Sequence, residues 1–119
     1  MKRDMDIVLR LLRLLESRRS DEPFFPSPSD LPGQRPPEDV LREHCRLIVE
    51  RGLARGESAI DGWVLTGLTW EGHDFLDNSR ESKVWKAAKK AAGDLSFGVF
   101  VRVLTETATR YAMSRIIEF

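Results

Sequence analysis

Apolar residues recur at helical spacing in two stretches of the first half. Ile7, Val8, Leu11, Leu12, Leu14 and Leu15 share one side of a helix over 4–18, and Asp4 or Asp6 can cap its start. Val40, Leu41, His44, Leu47 and Ile48 do the same over 38–51, with Pro36 and Pro37 leading in and Gly52 suited to a left-handed C-cap. Between them, 20–37 is rich in proline, which removes backbone donors and disfavours helix at the preceding residue, so no long helix is expected there. After Gly52 the period changes. Leu53–Glu57 and Trp63–Thr69 read as two strands, and Asp61–Gly62 is the strongest turn signal between them. Thr69 is placed to cap a helix over 70–79. A helix over 82–92 follows, broken by Gly93–Asp94, and then a long one over 95–117.

This order predicts an α+β, mostly helical fold: a winged helix-turn-helix-like domain with a β-hairpin wing, plus two C-terminal helices. Residues 1–80 form the winged-helix-like domain, and 81–119 form a helical extension expected to serve in dimerisation. The last helix carries Leu95, Phe97, Val99, Phe100, Val101, Val103 and Leu104 around more than one stripe, and a helix apolar on several sides is buried on several sides. A chain this short has few elements to cover it, so a two-fold homodimer is expected, with Phe97, Phe100, Leu104 and Tyr111 as contact candidates.

Three segments together carry a resemblance. Met1-Lys2-Arg3-Asp4-Met5-Asp6, the His44-Cys45 to Gly52-Leu53 helix end, and Leu68-Thr69-Trp70-Glu71-Gly72-His73-Asp74-Phe75-Leu76-Asp77 followed by Trp85-Lys86 occur in order across nearly the whole chain. They resemble an uncharacterised family of bacteria, prophages and mobile elements, catalogued as a domain of unknown function. The resemblance implies a small winged-helix-like domain followed by C-terminal helices, and no activity. Residues 23–37 are richer in proline than the family pattern, so a loop is expected before the second helix.

Composition narrows the function classes. At 119 residues the chain can build one core, and no long uncharged apolar run suggests a membrane span. The single cysteine, Cys45, excludes an internal disulfide, and with no signal-peptide core the expected location is the cytoplasm. Net charge is zero, from 19 basic and 19 acidic residues. The balance is uneven: 1–19 and 81–119 are each net +3, whereas 56–80, which holds most of the hairpin, is net −4. A dedicated nucleic-acid binder is usually basic, because counterion release from phosphates dominates its affinity.

No catalytic constellation stands out, and no enzyme activity, cofactor or small-molecule substrate is inferred. His44 and Cys45 are adjacent and point about 100° apart on a helix, and a metal or nucleophile site needs donors the sequence does not supply beside them. Cys45 is expected to be a small buried hydrophobe, His44 to pack beside the Gly52 turn, and His73 to hydrogen-bond a neighbour. Trp63, Trp70 and Trp85 are expected to fill the core or an interface.

Two functions are left to weigh. If the second helix reads DNA, its donors are Arg35, Arg42 and Arg46, set among Glu38, Asp39 and Glu43, and the hairpin adds Arg55 beside Glu57 and Asp61. Three carboxylates facing phosphates make a poor DNA surface. The preferred expectation is therefore a non-enzymatic accessory or regulatory protein of prophage or mobile-element type, acting through protein contacts. Phe24 and Phe25 are expected to tuck onto the core and, if exposed, to form a docking spot. The alternative is a winged-helix DNA-binding transcriptional regulator.

Overall fold

The first helix, α1 (Met5–Ser17), starts where Asp4 turns its carboxylate onto the backbone N–H groups of Asp6 (2.8 Å) and Ile7 (3.4 Å). These are among the orphan donors every helix start leaves, so Asp4 is the N-cap and Asp6 lies within the first turn. The computed structural model describes residues 1–18 and 22–117. Among these it contains five α-helices, one short 3-10 turn and one antiparallel hairpin, an α+β, mostly helical fold. The chain divides into two compact units, Met1–His73 and Asp74–Phe119.

In the first unit, α1 buries Met5, Ile7, Val8, Leu9, Leu11, Leu12 and Leu15, whereas Leu14, which its spacing placed with them, is half-buried. The proline segment then runs without a long helix. Only Pro28–Asp30 form a 3-10 turn, and the Arg10 guanidinium ties the next stretch to α1 by donating to the carbonyls of Pro32 (3.0 Å) and Gln34 (2.6 Å). The second helix, α2 (Glu38–Glu50), buries Leu41, His44, Cys45 and Ile48. It ends at Gly52 (φ 79°), where the N–H of Leu53 reaches the Ile48 carbonyl (2.8 Å) and that of Gly52 the Val49 carbonyl (3.0 Å). That pattern satisfies the last carbonyls and needs a left-handed residue, which glycine adopts without strain.

The strands β1 (Ala54–Ala59) and β2 (Gly62–Leu68) pair antiparallel, with an irregularity between Arg55 and Gly56. The turn sits one residue earlier than Asp61–Gly62 suggested. Ile60 and Asp61 are its central residues, both at negative φ, and Gly62 (φ 151°) opens β2. β1 accordingly extends to Ala59 rather than stopping near Glu57. Phe24 adds a single bridge to this hairpin: its N–H and C=O both bond Leu65, at 3.1 and 3.0 Å.

Two of the three segments, the Gly52-Leu53 helix end and the stretch from Thr69 to Gly72, meet at the base of the hairpin. The Thr69 hydroxyl donates to the Gly52 carbonyl and accepts from the Gly72 N–H (3.1 Å), capping α3 (Trp70–Asn78). The Thr69 N–H donates to the Leu53 carbonyl (3.1 Å). A Cβ at Gly72 would fall 2.0 Å from that same carbonyl oxygen, so only glycine lets α3 start here.

The Asp4 backbone makes the other long link, across 40 residues. Its N–H donates to His44 Nε2 (2.9 Å), while His44 Nδ1 lies 2.8 Å from the Val40 carbonyl. Both contacts are satisfied by the neutral ring with its proton on Nδ1. His44 is fully buried and docks α1 on α2, rather than packing at the Gly52 turn.

The second unit contains α4 (Ser82–Ala92) and α5 (Phe97–Ile117). Phe75, Trp85, Phe97 and Phe100 form its core. Trp85 stands edge-on to Phe75 (5.9 Å) and Phe100 (5.5 Å), and Phe97 stacks on Phe75 (6.1 Å). Such offset and edge-to-face pairs suit the ring quadrupole and add to the burial gain. Leu95 and Ser96 precede α5 rather than belonging to it, and the Ser96 hydroxyl accepts from the Val99 N–H (3.3 Å).

Candidate functional site

A surface cleft of about 330 Å³ opens in the first unit between the proline segment, α2 and the hairpin tip. Phe25, Pro26 and Ser27 line one side, Glu38, Arg42 and Cys45 come from α2, and Asp61, Gly62 and Trp63 come from the hairpin. Local geometry explains this grouping. The Phe24 bridge fixes extended backbone, so successive side chains alternate in direction. Phe24 is half-buried beneath the Arg18 guanidinium, 3.8 Å from its ring centre, and Phe25 is 60% exposed. At the other wall the hairpin tip comes down on Arg42: a Cβ on Gly62 would lie 3.3 Å from Arg42 Cδ.

The four arginines expected to serve DNA have separate fates. Arg46 is clamped inside α2, bonding Glu43 one turn before it and both carboxylate oxygens of Glu50 at 2.7 and 2.8 Å. Its hydrogen bonds to Glu43 and Glu50 push its pKa further up, and the bond from Arg46 holds the Glu43 carboxyl below the ordinary carboxylate range. Arg35, Arg42 and Arg55 are exposed and form no ion pair among the described residues. Only Arg42 belongs to the cleft, where Glu38 and Asp61 accompany it.

The expected protein contacts also divide. Phe25 is in the cleft, and Phe24 is taken up by the sheet bridge. Phe97, Phe100, Leu104 and Tyr111 all lie on α5, in the second unit. Phe100 and Leu104 are 1% and 0% exposed, so as they stand they present no free surface. Phe97 is half-buried on Phe75, and Tyr111 is half-buried with the Arg115 guanidinium 5.8 Å from its ring.

Other expectations shift as well. Trp85 fills a core, but Trp70, the first residue of α3, is 80% exposed. His73 is exposed, and its ring makes no hydrogen bond among the described residues. Cys45 is buried, and burial pushes its thiol up to about 12, because a thiolate would lose its hydration there. It is an apolar floor to the cleft rather than a nucleophile at neutral pH. Among the described residues no group of three or more His, Cys, Asp or Glu side chains is arranged to hold a metal ion, and no helix is long and apolar enough to cross a membrane.

Sequence reasoning missed Ile60, which is completely exposed at the hairpin tip, and the cleft walls Asp61 and Trp63. The available signal was a β-branched apolar residue beside Asp61-Gly62, since a turn tip has nothing to pack against.

No curated protein and no solved structure matches the chain. A family match covers residues 2–98, most of the sequence. By that match the chain belongs to the family described as hypothetical protein (DUF2513).

Proposed function

We propose that this chain is a non-enzymatic protein-docking module built on a winged-helix plan, an accessory or regulatory protein of prophage or mobile-element type. The order α1, Phe24 bridge, 3-10 turn, α2, β1, β2 supports that plan. It follows the winged-helix succession, with the 3-10 turn in place of a full helix before α2. The observation that carries the docking reading is the outward face of α2. In a DNA reader this face enters the major groove, and phosphate contacts supply much of the affinity. Here it bears Glu38, Asp39, Glu43 and Glu50, and Arg46 is neutralised from both sides by two of them. Carboxylates already bound to Arg46 would have to release it before it met a phosphate.

The same end of the unit offers protein-like contacts instead. Phe25 and Ile60 are exposed apolar side chains, and Trp63 and Arg42 line the cleft. Aromatic and arginine anchors are enriched in the energetically dominant parts of protein interfaces. The test is comparative capture from host lysate with wild type, Phe25→Ser and Ile60→Ser. Both substituted residues are exposed, so the fold survives. A partner retained by wild type and lost by either variant supports the cleft. Equal capture by all three removes it.

DNA regulation is the second reading, favoured by the exposed guanidinium groups of Arg35, Arg42 and Arg55. It requires that Arg42→Ala weaken duplex binding and that binding fall steeply with salt.

A further inference from the structure

We propose that a second copy of this chain pairs with it through the outward face of α5, antiparallel, with Arg102 of each copy opposite Glu106 of the other. Phe100 and Leu104 mark the inward face of α5, buried in the second unit. The opposite face carries Val99, Arg102, Glu106, Thr109, Met113 and Ile116, all exposed. Their separations alternate between three and four residues, the spacing of a two-stranded coiled-coil seam. Val99 is 42% exposed, Met113 52% and Ile116 65%, so the apolar members flank a charged centre and are uncovered in the single chain.

The charged centre selects the occupant. Arg102 and Glu106 are one turn apart on the same helix, yet they form no ion pair among the described residues. At the same spacing in α2, Arg46 holds Glu50 at 2.7 Å. The α5 pair therefore presents one uncommitted cation and one uncommitted anion side by side. A surface of that kind is complementary to itself when turned about a two-fold axis across the helix.

Placing Arg102 opposite Glu106 makes the contact twice, sets Val99 opposite Thr109, and brings Met113 to the level of the partner's Leu95, just before its helix. Leu95 is itself 50% exposed. Competing arrangements bury charge without a partner. Sliding the antiparallel pair by one heptad sets Arg102 against Met113 and Glu106 against Thr109. A parallel pair sets Arg102 on Arg102 and Glu106 on Glu106, and like charges in an interface suppress that pairing.

The test is sedimentation equilibrium of the full chain over a concentration series, with circular dichroism to confirm that each variant keeps its helices. Wild type is expected to dimerise. Arg102→Glu and Glu106→Arg should each weaken association by about tenfold or more, because each converts two attractive contacts into two repulsive ones. The double variant R102E/E106R restores the opposite-charge pairing and should recover most of the wild-type affinity. A second measurement does not depend on those variants. On mild oxidation V99C/T109C should form a dimer linked between copies, and V99C alone should not. A monomeric wild type, association indifferent to either single reversal, a double variant no better than the singles, or cross-linking by V99C alone would each overturn the proposal.

Discussion

His44 offers the sharpest test of how the first unit is held together. Replacing it with alanine removes an imidazole that is fully buried between α1 and α2. Two contacts go with it: the 2.9 Å bond from the Asp4 N–H and the 2.8 Å contact with the Val40 carbonyl. Val40 keeps its helical partner, so its loss is small. The Asp4 N–H keeps none and must find water at a partly buried site, which costs about 1 kcal/mol. The void adds about 2 kcal/mol, at the lower end for a large side chain reduced to alanine in a core. A total of about 3 kcal/mol is a substantial part of the 5–15 kcal/mol that folded domains have in hand. In urea, with a slope of about 1.5–2 kcal/mol per molar, the midpoint should fall by about 1.5–2 M. Amide exchange should also accelerate at the start of α1, since Asp4 caps that helix. His44→Gln places an acceptor near the Nε2 position and should recover about 1 kcal/mol. A midpoint shift under about 0.5 M for His44→Ala, or no recovery with Gln, would refute the idea that this ring docks α1.

Two further outcomes follow from the same unit. Gly72→Ala puts a methyl group 2.0 Å from the Leu53 carbonyl oxygen, so the Thr69 cap must break or α3 must start elsewhere; we expect a loss of about 2–4 kcal/mol by chemical denaturation, and a loss below about 1 kcal/mol would contradict the contact. Cys45 should react slowly with a thiol reagent at neutral pH in the folded protein and rapidly in denaturant. Its folded pKa of about 12 lies above the ordinary thiol range, so its contribution to stability is whole below that range and declines as pH rises through it towards 12. A folded thiol as reactive as the unfolded one would show that Cys45 is accessible.

Much of this arrangement was legible in the chain because it is local. The apolar period of 4–18 and 38–51 gave α1 and α2 to within a residue or so, and Asp4, Gly52 and Thr69 were legible as caps because cap chemistry depends on the next few residues. What spacing could not show is long-range. Nothing local marks His44 as the acceptor for an amide 40 residues away, and its neighbours suggested the Gly52 turn instead. The hairpin tip was misplaced by one residue because Asp-Gly is a strong central pair, whereas here Gly62 follows the turn and rests against Arg42. Phe25 and Arg42 were both singled out, but for different functions. Their shared cleft arises only once Phe24 bridges Leu65 and the hairpin folds onto α2. Phe100 and Leu104 looked like interface residues because the last helix is apolar on several sides, and periodicity does not tell which side its own neighbours cover.

The most direct test of the central claim is a fluorescence-anisotropy titration of labelled duplex, both random sequence and the DNA upstream of the coding region, at low and moderate salt. Wild type is compared with a variant carrying Glu43→Gln and Glu50→Gln, which frees Arg46 from its clamp. The account predicts little binding by wild type even at low salt, and a measurable gain, lost again as salt rises, for the variant. Tight, salt-steep binding of the upstream duplex by wild type would contradict it and make this chain a DNA-binding regulator despite its acidic helix face.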